Sequence, residues 1–240
     1  MGNFERIVIS CMDRRLSEYL DSKYNDGRTV FLRNAGANIG TLSKSIEGII
    51  GSGGISSVVI APHTDCGAMG LVSSALSGSA KVSESIERNL VARFRKISYS
   101  DRNELERIVN PALQERGLSN LVKRPDIGTA VELIDLSRMQ IPKDDGKHLL
   151  TFTKPSPTRY SSFISKYGNS GIGMFNSYFI QASAARDVSA DIEIATAALH
   201  ISDVRLVSEN QLQNAGINED MNYIKGMSHF SGFSISEITA

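Results

Sequence analysis

The sequence contains few thiols and imidazoles, no tryptophan, and no excess of charge of either sign. Its 240 residues include two cysteines and four histidines. Lysine plus arginine number 26, as do aspartate plus glutamate, so no overall electrostatic field would attract nucleic acid or an anionic membrane surface. A small neutral or singly charged molecule is the partner that suits this balance best.

Long apolar runs are also missing. The longest, such as residues 58–61, are far shorter than the roughly 20 residues of a bilayer-spanning helix, so no membrane helix is predicted. Residues 1–5 lack a basic region followed by an apolar stretch, and the cytoplasm is therefore the expected location. In a reducing compartment two cysteines are more often catalytic or metal-binding than disulfide-bonded.

Short β-branched segments alternate with helical segments from the start of the chain. Strands are predicted over residues 6–10, 29–32, 57–61 and 130–136. Helices are predicted over residues 16–24 and 42–50, with two more between residues 83 and 117. The continuous apolar character of the strands is typical of a parallel sheet that is buried on both faces. The alternation predicts an α/β fold.

Candidate metal ligands directly follow two of these strands. Cys11 comes after the first strand, while His63 and Cys66 lie just beyond the third. Ligand sites of open α/β sheets lie at the carboxyl ends of the strands, so these side chains are expected to meet there. Two thiolates and one imidazole suit zinc and leave a fourth position for water, as in catalytic sites. Taken alone, the same three residues would equally suit a buried core.

Asp13 and Arg15 stand two residues apart just after Cys11. A carboxylate and a guanidinium at this spacing can form a charge-assisted, bidentate pair beside the same metal. A cysteine phosphatase or sulfurtransferase site would instead need an arginine six positions after the cysteine, where Ser17 stands. The glycines at 51, 53 and 54 lack the spacing of a nucleotide-binding loop and are expected to cap a helix.

Three segments resemble the signatures of the beta-carbonic anhydrases, and they occur in the family's order. Cys11-Met-Asp-Arg-Arg resembles Cys-x-Asp-x-Arg, Arg33-Asn-Ala-Gly resembles Arg-Asn-Ala-Gly, and His63-Thr-Asp-Cys-Gly resembles His-x-x-Cys-Gly. The resemblance is clear over residues 4–71 and becomes diffuse through residue 136. It implies an α/β fold with the parallel-sheet core of that family.

The resemblance also implies the site residues. Cys11, His63 and Cys66 would bind zinc, and Asp13 and Arg15 would form the dyad that orients or releases the metal-bound water. Residues 33–36 would form a structural loop near the site. If Arg15 released Asp13, that carboxylate could take the open position on the metal, and the sequence does not choose between these states. No motif places His148, His200 or His229 near the metal, so no proton shuttle is assigned.

The activity implied by the resemblance is that of a zinc lyase which hydrates carbon dioxide reversibly to bicarbonate. Zinc would lower the pKa of its bound water to roughly 7 and supply hydroxide at neutral pH. Relatives of this fold use the same ligands to hydrolyse carbonyl sulfide or carbon disulfide, so a sulfur analogue is an alternative substrate. A non-catalytic, zinc-stabilised scaffold protein is the alternative from another class.

The segment after residue 146 is longer than the minimal family unit needs. Asp144, Asp145 and Gly146 lie in the best linker candidate, so residues 1–146 are predicted to form the zinc-binding domain. Residues 147–240 are predicted to form a degenerate, metal-free repeat of the same fold. One chain would then be a pseudo-dimer, and further association into a homo-oligomer is left open.

Internal similarity motivates the predicted repeat. Residues 46–70 and 192–216 share six identities at a constant offset of 146 residues, and strand-like segments at 149–153 and 178–180 fall where copies of the first two strands should lie. Lys154, Glu209 and Leu212 then take the places of Cys11, His63 and Cys66, which excludes a second metal site. A metal-free half could wall the pocket, since family members pair two units to complete each active site. Chance similarity between α/β units is the alternative.

Overall fold

A computed structural model describes residues 4–141, 143–144, 146, 148–156, 176–208, 216–227 and 234–239. In these ranges eight strands form one sheet, connected by helices. The strands are β1 (Arg6–Cys11), β2 (Thr29–Asn34), β3 (Ser57–Ala61), β4 (Gly128–Val131), β5 (Leu149–Thr153), β6 (Ser177–Gln181), β7 (Asp203–Ser208) and β8 (Ser234–Thr239). The α-helices are α1 (Ser17–Tyr24), α2 (Ile39–Gly51), α3 (Gly67–Leu76), α4 (Glu84–Asn89), α5 (Arg102–Glu104), α6 (Asn110–Leu121), α7 (Ser189–Glu193) and α8 (Ile217–Gly226).

The sheet has the strand order β4-β3-β1-β2-β6-β5-β7-β8. All neighbouring strands are parallel except β2 and β6, which meet in antiparallel orientation at Arg33 and Gln181. The predicted α/β fold with a parallel-sheet core is therefore confirmed. No helix in the described ranges has both the length and the apolar character that a bilayer crossing requires.

Strand β1 lies between β2 and β3 and is buried on both faces, as its apolar sequence predicts. Ile7, Val8 and Ile9 are all fully buried. In the register, Cys11 is opposite Asn34 of β2, and Ser10 is opposite Ala61 of β3. The loops that follow all three strands therefore begin at the same edge of the sheet.

Helix α2 begins and ends as its sequence indicates. The side chain of Asn38 accepts a hydrogen bond from the Gly40 N–H at 3.0 Å, which is an N-cap. The helix ends at Gly51, and the following Gly53 and Gly54 have φ angles of +86° and +87°. These left-handed conformations agree with the predicted capping role of the glycine cluster.

The fourth strand differs from the predicted range of residues 130–136. Strand β4 spans Gly128–Val131 and pairs with β3 as far as Ile60. Directly after β3 the chain continues with Pro62, which has no backbone N–H to extend the hydrogen bonding between the two strands. Only an isolated bridge between His63 and Ile134 continues the pairing. The apolar pattern therefore predicts an end for this strand that lies too far along the chain.

The two halves of the sheet have the same strand order. In the first half the order is β2-β1-β3-β4, and in the second it is β6-β5-β7-β8. This agreement is compatible with the predicted repeat and with a boundary near Gly146, both of which stay predictions. The supposed counterparts of two metal ligands, Glu209 and Leu212, lie outside the described residues.

The predicted counterpart of Cys11, Lys154, forms an ion pair directly after β5. Its ammonium group contacts Asp220 of α8, and the two side chains are 13% and 6% exposed. Lys154 also donates to the Ser183 carbonyl oxygen at 2.8 Å, and Asp220 accepts the Ala185 N–H at 2.6 Å. An ammonium group therefore connects the first strand of the second half to the helix after its third strand.

Replacing Lys154 alone should destabilise the protein, because the buried Asp220 carboxylate would lose its counter-charge. We expect Lys154→Met to lower the free energy of unfolding by about 3–5 kcal/mol in urea denaturation, and Lys154→Met/Asp220→Leu to lower it by less. Lys225→Met, at an exposed position of α8, is the matched control. Equal stability of the Lys154→Met and Lys225→Met proteins would contradict this role.

Candidate metal centre

Cys11, His63 and Cys66 form a buried cluster at the carboxyl edge of the first half-sheet. Their side chains each offer one ligand atom, and these atoms lie within 4.8 Å of one another. The two sulfur atoms are 4.0 Å apart. Cys11 is the last residue of β1, His63 follows β3 by two residues, and Cys66 caps the N-terminus of α3. The parallel strands thus bring together the three residues that the sequence predicted as ligands.

The imidazole of His63 is oriented by its own loop. Nδ1 lies 2.8 Å from the Thr64 carbonyl oxygen, and since that oxygen only accepts, Nδ1 carries the proton. Nε2 is then an unprotonated acceptor, and this buried atom has no hydrogen-bond partner among the described residues. A buried polar atom without a partner is unfavourable. An imidazole nitrogen beside two thiols is a donor set that fits zinc.

The two thiols differ in acidity. A hydrogen bond from the Cys66 thiol lowers the pKa of Cys11 well below its usual value, and this effect exceeds the opposing effect of burial. The same hydrogen bond raises the pKa of Cys66. Cys11 also accepts the Gly36 N–H on its sulfur atom at 3.3 Å. The cluster therefore ionises first at Cys11, which provides a thiolate for a cation.

A buried glutamate lies on the π-helical turn Leu105–Val109, which directly follows α5, and accepts hydrogen bonds from the loop of Cys66. Glu106 accepts the backbone N–H groups of Asp65 and Cys66 at 2.6 and 3.0 Å. Asp65 has a φ angle of +54°, a left-handed conformation that is uncommon for a residue with a side chain. Arg102 donates to Glu106 at 2.7 Å and to the Cys66 carbonyl oxygen at 3.1 Å. Glu106 therefore positions the Cys66 thiol through its backbone.

Asp13 and Arg15 form the bidentate pair that their spacing predicts. Arg15 Nε lies 3.0 Å from Asp13 Oδ1, and Nη2 lies 2.7 Å from Oδ2. Burial alone would raise the pKa of Asp13, but the hydrogen bonds and charge of Arg15 outweigh it and keep the pKa below its usual value. Asp13 Oδ2 is 3.9 Å from His63 Nε2, so this carboxylate borders the cluster.

Arg15 also bridges to the loop of Cys66. Its Nη1 donates to the Asp65 carboxylate at 2.5 Å, and its Nη2 donates to the Asp65 carbonyl oxygen at 2.7 Å. One guanidinium therefore contacts both ligand-bearing loops. In this arrangement both carboxylate oxygens of Asp13 accept hydrogen bonds from Arg15.

Residues 33–36 contact the cluster, but Arg33 and Asn34 are the last residues of β2, so the predicted loop begins only at Ala35. Arg33 is fully buried and donates to the carbonyl oxygens of Cys11 and Asp13 at 2.9 and 2.7 Å. Its guanidinium lies 5.5 Å from the ring centroid of Phe179 in the second half. Gly36 has a φ of +72°, and a Cβ atom there would lie 3.0 Å from the Met69 side chain. Only glycine fits this position without displacement.

A cavity of about 300 Å³ opens beside the cluster. The first half contributes Cys11, Asp13 and Arg15 to its wall, and the second half contributes Tyr178, Ile194 and Leu199. Both halves therefore line the space next to the candidate ligands. A cavity of this size admits a small molecule, in agreement with the partner class that the charge balance indicates.

Several residues at the site were not singled out from the sequence. They are Glu106, Arg102, Tyr178, Asp191 and the pair His148–Asp144. His148 Nε2 lies 2.8 Å from Asp144, which lines the cavity, and the His148 ring contacts Tyr178 with centroids 5.7 Å apart. The one local signal that could have identified a member of this group is the position of Glu106 between the apolar Leu105 and Val109 of a predicted amphipathic helix.

Comparison with known proteins finds one matching family. A family model described as carbonic anhydrase matches residues 6–132, just over half of the chain. No curated protein matches the chain in sequence.

Solved structures similar to this chain include three carbonic anhydrases. The beta-carbonic anhydrase CafA of Aspergillus fumigatus is 18% identical over 61% of this chain and 78% of its own, with a TM-score of 0.42. Tetrameric beta-carbonic anhydrases of Sordaria macrospora are represented by a chain that is 16% identical over 57% and 78%, with a TM-score of 0.40. A carbonic anhydrase from Glaciozyma antarctica is 21% identical over 55% and 77%, with a TM-score of 0.36.

Removing Glu106 should weaken metal binding. We expect Glu106→Ala to lower zinc affinity by about 10–100-fold, since two backbone N–H groups beside Cys66 would lose their acceptor. Competition with a chromogenic chelator measures this change, and Glu115→Ala on the exposed face of α6 is the matched control. Unchanged zinc affinity in a folded Glu106→Ala protein would show that Glu106 does not position the thiol.

Proposed function

This chain belongs to the beta-carbonic anhydrase family, and on that premise we propose that it catalyses the reversible hydration of carbon dioxide to bicarbonate with zinc held by Cys11, His63 and Cys66. The observation that carries the proposal is the unpaired, buried His63 Nε2 beside two thiols. Three protein ligands leave one coordination position for the reaction, which is typical of catalytic zinc.

When bound, zinc would supply the Lewis acidity that makes water a nucleophile near neutral pH. Asp13 is the carboxylate beside the cluster, and its lowered pKa keeps it ionised and acceptor-only at neutral pH. It can therefore accept a hydrogen bond from the attacking water and direct a lone pair towards the carbon atom. Arg15 holds Asp13 in this orientation through two hydrogen bonds.

The cavity supports a small, weakly polar substrate. Met12, Ile194 and Leu199 give part of its wall an apolar surface, while Asp13 and Arg15 lie on the polar side next to the ligands. Carbon dioxide has no charge. Such an apolar surface is therefore enough to bind it, and an oriented nucleophile is enough to attack it. Carbonyl sulfide and carbon disulfide share this chemistry, so direct assays must separate the substrates.

We further propose that residues 147–240 are a metal-free repeat of residues 1–146. The shared strand order of the two halves and the Lys154–Asp220 pair at the end of β5 support this view. The second half would serve catalysis by closing the cavity with Tyr178, Ile194 and Leu199. A cytoplasmic location and association into a homo-oligomer stay predictions.

Zinc analysis tests the ligand set. We expect one zinc per chain in the wild-type protein and no stoichiometric zinc in Cys11→Ser or Cys66→Ser, because each change removes a thiolate. Full zinc occupancy in both variants would rule out this centre. More than one tightly bound zinc per chain would contradict a metal-free second half.

Stopped-flow hydration of carbon dioxide tests the dyad. Asp13→Asn and Arg15→Ala should each lower turnover by at least about tenfold, or roughly 1.4 kcal/mol of barrier, while zinc stays bound. Asp26→Asn, which alters an exposed ion pair with Arg6, is the matched control.

Three other outcomes would count against the proposal. Turnover within twofold of wild type in both dyad variants would show that Asp13 and Arg15 form only a structural ion pair. Rapid hydrolysis of carbonyl sulfide with slow hydration of carbon dioxide would favour the alternative substrate. Bound zinc with neither activity would favour a zinc-stabilised scaffold protein.

A further inference from the structure

Asp191 is a buried carboxylate of the second half that contacts the first half beside the metal centre. It lies on α7 and is 1% exposed. Its Oδ1 accepts the Ala35 N–H at 3.0 Å, and its Oδ2 accepts the Thr41 hydroxyl at 3.2 Å. Both partners lie in residues 35–41, which comprise the connection from β2 to α2 and the first turn of α2. Asp191 therefore anchors this connection to the second half.

The anchored segment includes the backbone donor to Cys11. The Gly36 N–H donates to Cys11 Sγ at 3.3 Å, one residue after the N–H that Asp191 accepts. Gly36 and Ala37 have φ angles of +72° and +56°, so two consecutive residues are left-handed. For Ala37 this conformation is strained, and such strain persists only where surrounding contacts enforce it.

Thr41 links Asp191 to a second set of contacts in the same segment. Asn34 donates from Nδ2 to Thr41 Oγ1 and to the Asn38 carbonyl oxygen, both at 2.7 Å. Its Oδ1 accepts the Asn38 N–H at 2.8 Å. Asp191, Thr41, Asn34 and Asn38 therefore form one connected network around the turn that presents Gly36. Loss of the carboxylate would remove two of its contacts at once.

Hydrogen bonding, rather than charge, explains this contact best. Burial raises the pKa of Asp191 to about 7, so the ionised and protonated forms both occur near neutral pH. Either form can accept the Ala35 N–H on one oxygen, and the Thr41 hydroxyl can accept as well as donate on the other. An asparagine at this position would accept the Ala35 N–H on Oδ1 and donate from Nδ2 to the Thr41 hydroxyl, as the protonated acid can, without a charge.

We propose that Asp191 is a positioning residue for the metal centre, through which the second half fixes the 35–41 connection so that the Gly36 N–H stays on the Cys11 sulfur. The inference rests on the proposed function in one respect, namely that Cys11 is a metal ligand. Hydrogen bonds around a ligand orient it and tune its donation to the metal, and their loss typically weakens binding. A metal-free half would thus contribute to the centre itself, in addition to the cavity wall.

Zinc release from the full-length holoprotein tests the inference without any catalytic assay. Transfer of zinc to a chromogenic chelator should be faster by at least about tenfold in Asp191→Ala and faster to a smaller extent in Thr41→Val. Asp191→Asn should stay within about threefold of wild type, since it restores the hydrogen bonds. Asp187→Ala is the matched control, because it removes another contact between the halves, the ion pair with Lys44 at 3.1 Å. Its release rate should equal that of wild type.

A spectroscopic signature separates positioning from general destabilisation. After cobalt substitution, the thiolate-to-cobalt charge-transfer band should shift in Asp191→Ala and stay in place in Asp191→Asn and Asp187→Ala. Wild-type zinc release and an unshifted band in Asp191→Ala would overturn the inference. If that variant does not fold, wild-type release and an unshifted band in Thr41→Val would overturn it equally.

Different results would contradict the role of Asp191 and the proposed function. Stoichiometric zinc in the wild-type protein with no effect of Asp191→Ala or Thr41→Val contradicts only the role of Asp191. A wild-type protein that holds no stoichiometric zinc contradicts the proposed function and this inference together. An equal acceleration of release in Asp187→Ala would also overturn the inference, because any loosening of the halves would then suffice.

Discussion

The parallel pairing of β1 with both β2 and β3 is the constraint on which the metal centre depends. Neighbouring strands lie about 4.8 Å apart, and this spacing sets the distance between residues at their ends. Cys11 is opposite Asn34, and Ser10 is opposite Ala61, so both flanking loops start level with Cys11. A slip of one residue would turn Cys11 to the other face of the sheet. The buried apolar core around β1 prevents that slip.

Around this constraint, buried polar groups are paired in a way that leaves one atom available. Arg33 satisfies the carbonyl oxygens of Cys11 and Asp13, and Glu106 satisfies the N–H groups of Asp65 and Cys66. Among the described buried side chains, the atoms without a partner are His63 Nε2 and Thr153 Oγ1. Only the former lies in the cluster. The unpaired nitrogen of the cluster is therefore the atom that would bind a metal.

Much of this arrangement could be predicted from local sequence. Cys11, His63 and Cys66 lie next to the strands that position them, and the predicted bounds of β3 and β5 agree with the structure. The dyad was predictable because a two-residue spacing is itself a local geometry. The end of strand β4 was not predictable, since it is set by Pro62, which directly follows β3.

Contacts between distant parts of the chain could not be predicted in this way. Glu106 meets Cys66 across 40 residues, and Asp191 meets Ala35 across 156. The hydrophobic periodicity of the sequence does not indicate such contacts, because they depend on how the helices pack against the sheet. The antiparallel junction of β2 and β6, which makes one sheet of two halves, is of the same kind. Long-range packing thus completes a site whose ligands are encoded locally.

Exchange of ¹⁸O between labelled carbon dioxide and water, followed by mass spectrometry, would show whether this protein hydrates carbon dioxide. It measures interconversion of carbon dioxide and bicarbonate at chemical equilibrium, without a pH indicator or a proton-transfer agent. We expect loss of label in proportion to the concentration of zinc-loaded protein, and a return to the uncatalysed rate with Cys66→Ser. Label loss at the uncatalysed rate with fully zinc-loaded wild-type protein would contradict it.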